Sequence, residues 1–268
     1  MKNFFEYYRK QKYIYYLLFF LPLIVVCCLD LFTGPDFWFL HEYGKHIVSS
    51  GVAHTDFLSM HSGLHLVMQQ WLSSVIFYLI YHCFGRYGIV LFIIGVVSLY
   101  LFTLYKLLML ITNRDTFLST VFSVVTVLIL EVNFVIIRPQ LFTYLFLLIE
   151  VLILEVYSRN KDTKLLYLLP IISLLQVNLH GALFFILFLF IMPYLVNYII
   201  KKDSRWKKLL IIFIIMFSVG LLNPNGVEIY TFLFNSLGRS DFTDFVMEMK
   251  PTAFSFEYPI VVFFYFLF

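Results

Sequence analysis

Two carboxylates, one arginine and a set of short polar interruptions stand out in a chain that is otherwise nearly all hydrocarbon. Asp36 follows Gly34-Pro35 at the start of a run with helical spacing, so it reads both as a helix N-cap and as a carboxylate held at a membrane surface. Asp56, in His54-Thr55-Asp56-Phe57-Leu58-Ser59, has the same two readings, a turn cap or a site acid. Arg138-Pro139-Gln140 places a guanidinium at a break between apolar runs. Its planar fork suits phosphate, although an interface anchor is the plainer role. Asn178-Leu179-His180-Gly181 and Asn223-Pro224-Asn225-Gly226 are further polar interruptions, each readable as a helix-breaking turn. Five of the seven histidines, His41, His46, His54, His61 and His65, fall between residues 34 and 69. His61 and His65 have the spacing of two ligands on one helix face, but no cysteine or spaced acid accompanies them.

The elements that must position these residues are set by composition. Of 268 residues, 62% are apolar and only 13% charged. An average soluble domain is nearer half apolar and a quarter charged, so a soluble enzyme, a disordered chain and a disulfide scaffold are excluded. The expected fold is all-α, a polytopic transmembrane helical bundle, forming one domain over 1–268. The net charge of +3 implies no nucleic-acid partner. Cys27, Cys28 and Cys83 lie in or beside apolar runs and read as small core residues.

Apolar runs occupy about 13–33, 70–84, 87–112, 116–137, 141–158, 165–177, 182–200 and 208–222. A last run from Pro259 stops at Phe268, half a span, as in a C-terminally truncated fragment. Lys2, Arg9, Lys10 and Lys12 predict a cytoplasmic N-terminus and put the 34–69 loop outside. If the short run 70–84 crosses fully, 8 basic residues fall inside against 11 outside. If it dips or lies along the interface without net crossing, the count becomes 14 inside against 5 outside, which the positive-inside rule prefers. That arrangement gathers the first loop, Arg138, His180 and Asn225 on one outer face. It also leaves Trp38, Trp71 and Trp206 at interfaces. Within the loop, Phe37, Leu40, Gly44, Ile47 and Val48 form an apolar stripe opposite Glu42, Lys45 and His46. This predicts an amphipathic interfacial helix over about 36–49.

Taken in order, these residues resemble a known family. Asp36-Phe37-Trp38, Gly44-Lys45-His46-Ile47, Gly51, Thr55-Asp56 with Ser59, and Gln69-Gln70-Trp71-Leu72 resemble the first periplasmic loop of bacterial C-type membrane glycosyltransferases. The group is the one related to the protein O-mannosyltransferase and aminoarabinose transferase families. Arg138-Pro139-Gln140-Leu141-Phe142, Asn178-Leu179-His180-Gly181 and Asn223-Pro224-Asn225-Gly226 resemble its later landmarks in the same order. The resemblance runs from Asp36 to about Pro251. It implies a multi-pass protein of the inner or plasma membrane and a sugar donor on a polyprenyl phosphate or diphosphate. It also implies inverting transfer to an acceptor hydroxyl outside, with a loop carboxylate as base. Asp36 is the implied base and Asp56 the second acid; Arg138, Gln140, Asn178, His180 and His41 are the candidate substrate-binding residues. The family often has His-Leu shortly after the Trp; here the order is Leu40-His41, which sets His41 apart. No metal ligand is assigned, and a divalent cation stays open as a participant.

The chemistry needs a base for the acceptor hydroxyl, a cation for the leaving phosphate and a lipid-accessible groove for the carrier tail. Asp36 and Arg138 fit the first two roles. With sugar and phosphate between them, their charged groups are expected on the order of 6–15 Å apart, in a cavity shared with Asp56 and His180. Other readings stay open. A transporter or flippase would use Glu131 and Glu150, two acids within apolar runs, and would show internal repeats, which are not evident. A surface-polysaccharide polymerase or ligase would carry its elaborated loop late in the chain. An inactive truncated protein is the remaining reading.

Overall fold

With so few polar side chains, each apolar run must satisfy its backbone internally, and helices do this within one segment. The computed structural model describes residues 12–28, 36–134, 136–160 and 164–236. The helices are α1 (Lys12–Cys28), α2 (Asp36–Ser50), α3 (Trp71–Ile111), α4 (Thr116–Phe134), α5 (Gln140–Arg159), α6 (Leu169–Leu179), α7 (Ile186–Ile200), α8 (Arg205–Val219) and α9 (Glu228–Ser236). Short 3₁₀ turns cover Lys164–Leu168, Gly181–Leu183 and Gly220–Leu222. Among the described residues no strand forms, and the extended pairing is a single bridge between Thr55 and His65. Three segments are long and apolar enough to cross a membrane: Trp71–Ile111, Gln140–Arg159 and Gly181–Ile200. The helix limits follow the apolar runs closely. The ends of the first run (29–33) and the run 259–268 lie outside the described residues, as do Lys2, Arg9 and Lys10 and the side chains of Lys12 and Glu131. Residues up to Ile229 form one compact unit; Tyr230 begins a second, whose described part is helical to Ser236.

The break expected near residue 85 is real, and it is sharp. Gly85 has φ 60° and ψ −153°, a backbone region that side chains avoid. Phe77 and Phe92 have ring centroids 6.1 Å apart, and both rings lie near Phe142, at 6.2 and 5.9 Å. In a straight helix those two positions would be about 22 Å apart. The first half of α3, residues 71–84, therefore folds back along the second half, 86–111.

The α2 helix forms where its spacing predicts, and much of its apolar face meets protein. Phe37, Leu40, Tyr43 and Gly44 are buried, whereas Val48 is 51% exposed. Gly44 explains the close approach: a Cβ there would overlap the carbonyl of Ser74 and press on the Cβ of Tyr78. The short first half of α3 thus supplies the surface that α2 covers. Cys27, Cys28 and Cys83 are exposed, not core residues, because their helix faces point away from the packed interior. Ser173 on α6 donates to the Met216 carbonyl of α8 at 2.7 Å, a short residue allowing two helices to approach.

Candidate functional site

Asp36 is the first residue of α2, where a carboxylate complements the positive helix end. Arg138 precedes Pro139, which stands at the N-cap position of α5 and needs no N–H partner there. These two helix starts meet. Asp36 Oδ2 and Arg138 Nε form an ion pair without the alignment of a hydrogen bond. The side chains remain partly open, 43% exposed for Asp36 and 26% for Arg138. The expected gap between them is absent: the two charged groups are in contact.

Aromatic rings crowd the turn of α2 next to Asp36. Phe37 lies 5.3 Å and Trp38 5.6 Å from the Tyr81 ring, and Trp38 is 47% exposed. His41 packs among Trp38, Tyr78 and Tyr81 at 6.0, 5.2 and 5.3 Å. Its Nδ1 lies 3.1 Å from Glu42 Oε1. Tyr78 and Tyr81 were not among the expected residues. The signal was present, since Ser74, Tyr78 and Tyr81 share one face of a short helix at three- and four-residue spacing.

Asp56 is placed elsewhere. It accepts from the Tyr43 hydroxyl at 2.7 Å and from Leu58 N–H at 2.9 Å, and its own N–H donates to Leu64 O. The Tyr43 hydroxyl and the Leu58 N–H hold its carboxyl below the usual aspartate range. Tyr43 is two helical turns along α2 from Asp36, about 10 Å of rise. Asp56 thus ties the loop to α2 and does not join the ion pair.

His180 and Asn178 are also withdrawn, at 5% and 6% exposure. His180 Nδ1 is 2.7 Å from Thr143 Oγ1, and Gln176 donates to both Thr143 Oγ1 and His180 O. Asn178 Oδ1 accepts from Trp71 Nε1 at 2.8 Å and from Asn223 Nδ2 at 3.3 Å. Asn223 Nδ2 also donates to Val177 O, and Asn225 Nδ2 donates to Asn223 Oδ1 and Met68 O. Gly181 N–H donates to Gln69 O. The two polar interruptions are therefore one buried clamp joining α3, α6 and the turn after α8. Gln140 sits at the start of α5 with its Oε1 buried and without a hydrogen-bond partner among the described residues.

His61 and His65 lie in irregular chain, not on a helix face; His65 Nε2 is 3.2 Å from Glu228 Oε2. Among the described residues no group of three His, Cys, Asp or Glu is placed to hold a metal. An apolar groove of about 530 Å³ lies between α1, α3 and α4, lined by Phe19, Leu23, Leu101, Phe102 and Tyr105. Its α3 residues are about 20 Å or more of helix beyond Gly85, away from the end where Asp36 sits. The expected common cavity of Asp36, Arg138, Asp56 and His180 is thus reduced to the Asp36–Arg138 pair and its aromatic border. No family model, curated protein or solved structure matches this chain.

Proposed function

We propose that this chain is a polytopic membrane glycosyltransferase of the inner or plasma membrane. It moves a sugar from a polyprenyl-phosphate-type carrier to an acceptor hydroxyl at the outer face, with inversion. Asp36 takes the acceptor proton as the acceptor oxygen bonds to the anomeric carbon. The bond from that carbon to the phosphate oxygen breaks, and Arg138 meets the charge left on the phosphate. The observation that carries this reading is the ion pair itself. Two residues at the starts of different helices, with about 100 positions between them, meet at a partly open surface beside the exposed Trp38 ring. Aromatic faces suit the apolar side of a sugar ring, and the guanidinium suits phosphate. In the resting chain each charge occupies the other. An arriving phosphate would take Arg138 and release the Asp36 carboxylate to act as base.

The fold-back at Gly85 supports an outer hairpin that adds no net crossing, in keeping with the 14-to-5 distribution of basic residues. The N-terminus is then cytoplasmic, and Asp36, Arg138 and the buried clamp share the outer end. The test is a pair of variants in vesicles. Arg138→Ala should lose affinity for undecaprenyl phosphate, while Asp36→Asn should bind it more tightly and lose transfer. Equal carrier affinity in Arg138→Ala and wild type would remove the phosphate role and, with it, the reading.

A further inference from the structure

The groove between α1, α3 and α4 has no part in that reaction. It is lined by Phe19, Phe20 and Leu23 of α1 and by Leu101, Phe102 and Tyr105 of α3. The Phe19 and Tyr105 rings meet edge to face at 5.2 Å. Thr116 and Thr120 of α4 and Ser98 of α3 add hydroxyls to the lining. Two of these are bonded within their own helices: Ser98 donates to the Ile94 carbonyl at 2.6 Å and Thr120 to the Thr116 carbonyl at 2.7 Å. Water in the groove would therefore find few partners, and hydrocarbon suits it better. Phe20 and Phe102 line the groove and are still 59% and 55% exposed, so it opens sideways from the helices. Because α3 is long and apolar enough to cross a membrane, a sideways opening on it faces acyl chains.

Shape and charge distinguish this groove from an ordinary lipid-facing surface. A single helix face touches a passing acyl chain on one side. Three helices touch it on three, and every added contact contributes dispersion attraction. A methylene fills roughly the volume of a water molecule, about 30 Å³, so the groove holds on the order of 15–18 carbons, one acyl chain. The groove residues of α3 and α4 flank the turn 112–115, and two cations stand there. Lys106 follows Tyr105 on α3, and its Nζ lies 5.1 Å from the centroid of the Phe102 ring. Arg114 lies in the turn itself, two residues before Thr116. Both are exposed, and the ion pairs among the described residues involve neither. The neighbouring acid, Asp115, turns its Oδ1 to the N–H groups of Phe117 and Leu118 at the start of α4, at 3.0 and 3.1 Å. Positive charge is thus in excess where the groove ends.

We propose that this groove binds one anionic phospholipid, with an acyl chain laid between α1, α3 and α4 and the phosphate held by Lys106 and Arg114. The second acyl chain stays in the bilayer. Arg114 offers phosphate a planar fork and Lys106 a point charge. A choline headgroup carries the same phosphate but no net charge, so the preference for an anionic lipid measures the two cations, at about fivefold each. The site does not depend on the sugar-transfer reading, because it shares no residue with the Asp36–Arg138 pair.

Photolabelling of the full chain in phosphatidylcholine vesicles tests it. The probe is phosphatidylglycerol with a diazirine on one acyl chain, and mass spectrometry locates the labelled peptides. Label should concentrate at 15–23, 98–105 and 116–120 and saturate at one lipid per chain. Unlabelled phosphatidylglycerol should displace it, and inorganic phosphate should not. Ser98→Phe puts a ring into the groove and should remove the label there. Lys106→Gln and Arg114→Gln leave the groove open, so they test the site without disturbing the packing. Each should lower the preference for phosphatidylglycerol over phosphatidylcholine by about fivefold. Label spread over every lipid-facing helix and unchanged in these variants would make the groove ordinary boundary surface. Displacement by inorganic phosphate would leave an anion site without a lipid. Stronger labelling by a diazirine analogue of undecaprenyl phosphate would give the groove to a carrier tail. A groove closed to both probes in vesicles where the chain is dimeric would give it to a second copy. Each of these four results overturns the proposal.

Discussion

Replacing Asp36 by Asn separates the roles that a carboxylate at a helix start can play. As a cap, Asn serves about as well as Asp, so helix stability should hardly change. As an ion-pair partner, Asp36 competes with phosphate for Arg138. The two side chains are 43% and 26% exposed, so their attraction is that of a solvent-screened pair, about 0.2–1 kcal/mol. At about 1.4 kcal/mol per tenfold in affinity, freeing Arg138 should tighten carrier phosphate by roughly 1.4- to 5-fold. As a base, its loss should cost on the order of 10²–10⁴ in the transfer step. The signature is therefore tighter binding with much slower chemistry. Undecaprenyl phosphate titration of the reconstituted chain gives the first quantity. Single-turnover transfer from a panel of polyprenyl-phosphate-linked hexoses and pentoses gives the second. Transfer at the wild-type rate would remove Asp36 from the mechanism. Weaker carrier binding in the Asn variant would show that the pair does not compete with phosphate and would refute the resting-latch argument.

Three further outcomes test the supports of this site. Gly44→Ala should destabilise the α2 contact by about 1–3 kcal/mol, because the new Cβ meets the Ser74 carbonyl, and detergent melting should report it. The Asp56 carboxyl should titrate below the ordinary aspartate value of 3.8 in carbon NMR. Its contribution to loop order is then present above that value and lost as pH falls through the lower folded one. Tyr43→Phe should move the midpoint up toward 3.8, and a wild-type midpoint at or above 3.8 would contradict the bonding described. Asn223→Ala should lower stability by about 1–3 kcal/mol for each buried partner left unpaired, while carrier affinity of the folded fraction stays unchanged. A selective loss of affinity there would return the clamp to the binding site.

Much of the architecture could be read in advance because apolar runs and helix ends are local properties. The break at Gly85 is an example: a run too short to span, ending in Cys83-Phe84-Gly85, was enough to locate it. Contacts between distant segments were less legible. The apolar stripe of α2 looked like a membrane-facing surface because sequence periodicity reports that a face is buried, not what buries it. Asn178, His180, Asn223 and Asn225 drew attention as polar residues in an apolar chain, which is a sound reason to expect a role. Their side chains proved to be spent on Trp71, Thr143, Val177 and Met68, partners that no local pattern could name. Tyr78 and Tyr81 were overlooked for the converse reason, since aromatic residues are unremarked in a chain that is 21% aromatic.

The division between clamp and ion pair follows from the cost of burying polarity. Amides can be buried cheaply once each donor and acceptor is matched. The Asn and Gln residues near His180 join helices through their donors, while the side-chain oxygens of Gln69, Gln176 and Asn225 are buried without a hydrogen-bond partner among the described residues. Asp36 and Arg138 follow different rules, because a fully buried pair is weakly favourable at best and a broken one is costly. Left partly open at two helix starts, they can exchange each other for a charged ligand at little loss. A site for an anionic lipid carrier needs that property, because its charges must be neutral to each other when empty and available when filled. The clamp reaches the first turn of α5 through the contact of Thr143 with His180. Rigidity in the amides and openness in the charges are thus two parts of one arrangement. The reactive pair should be sought where polarity is left partly solvated, not where it is most thoroughly bonded.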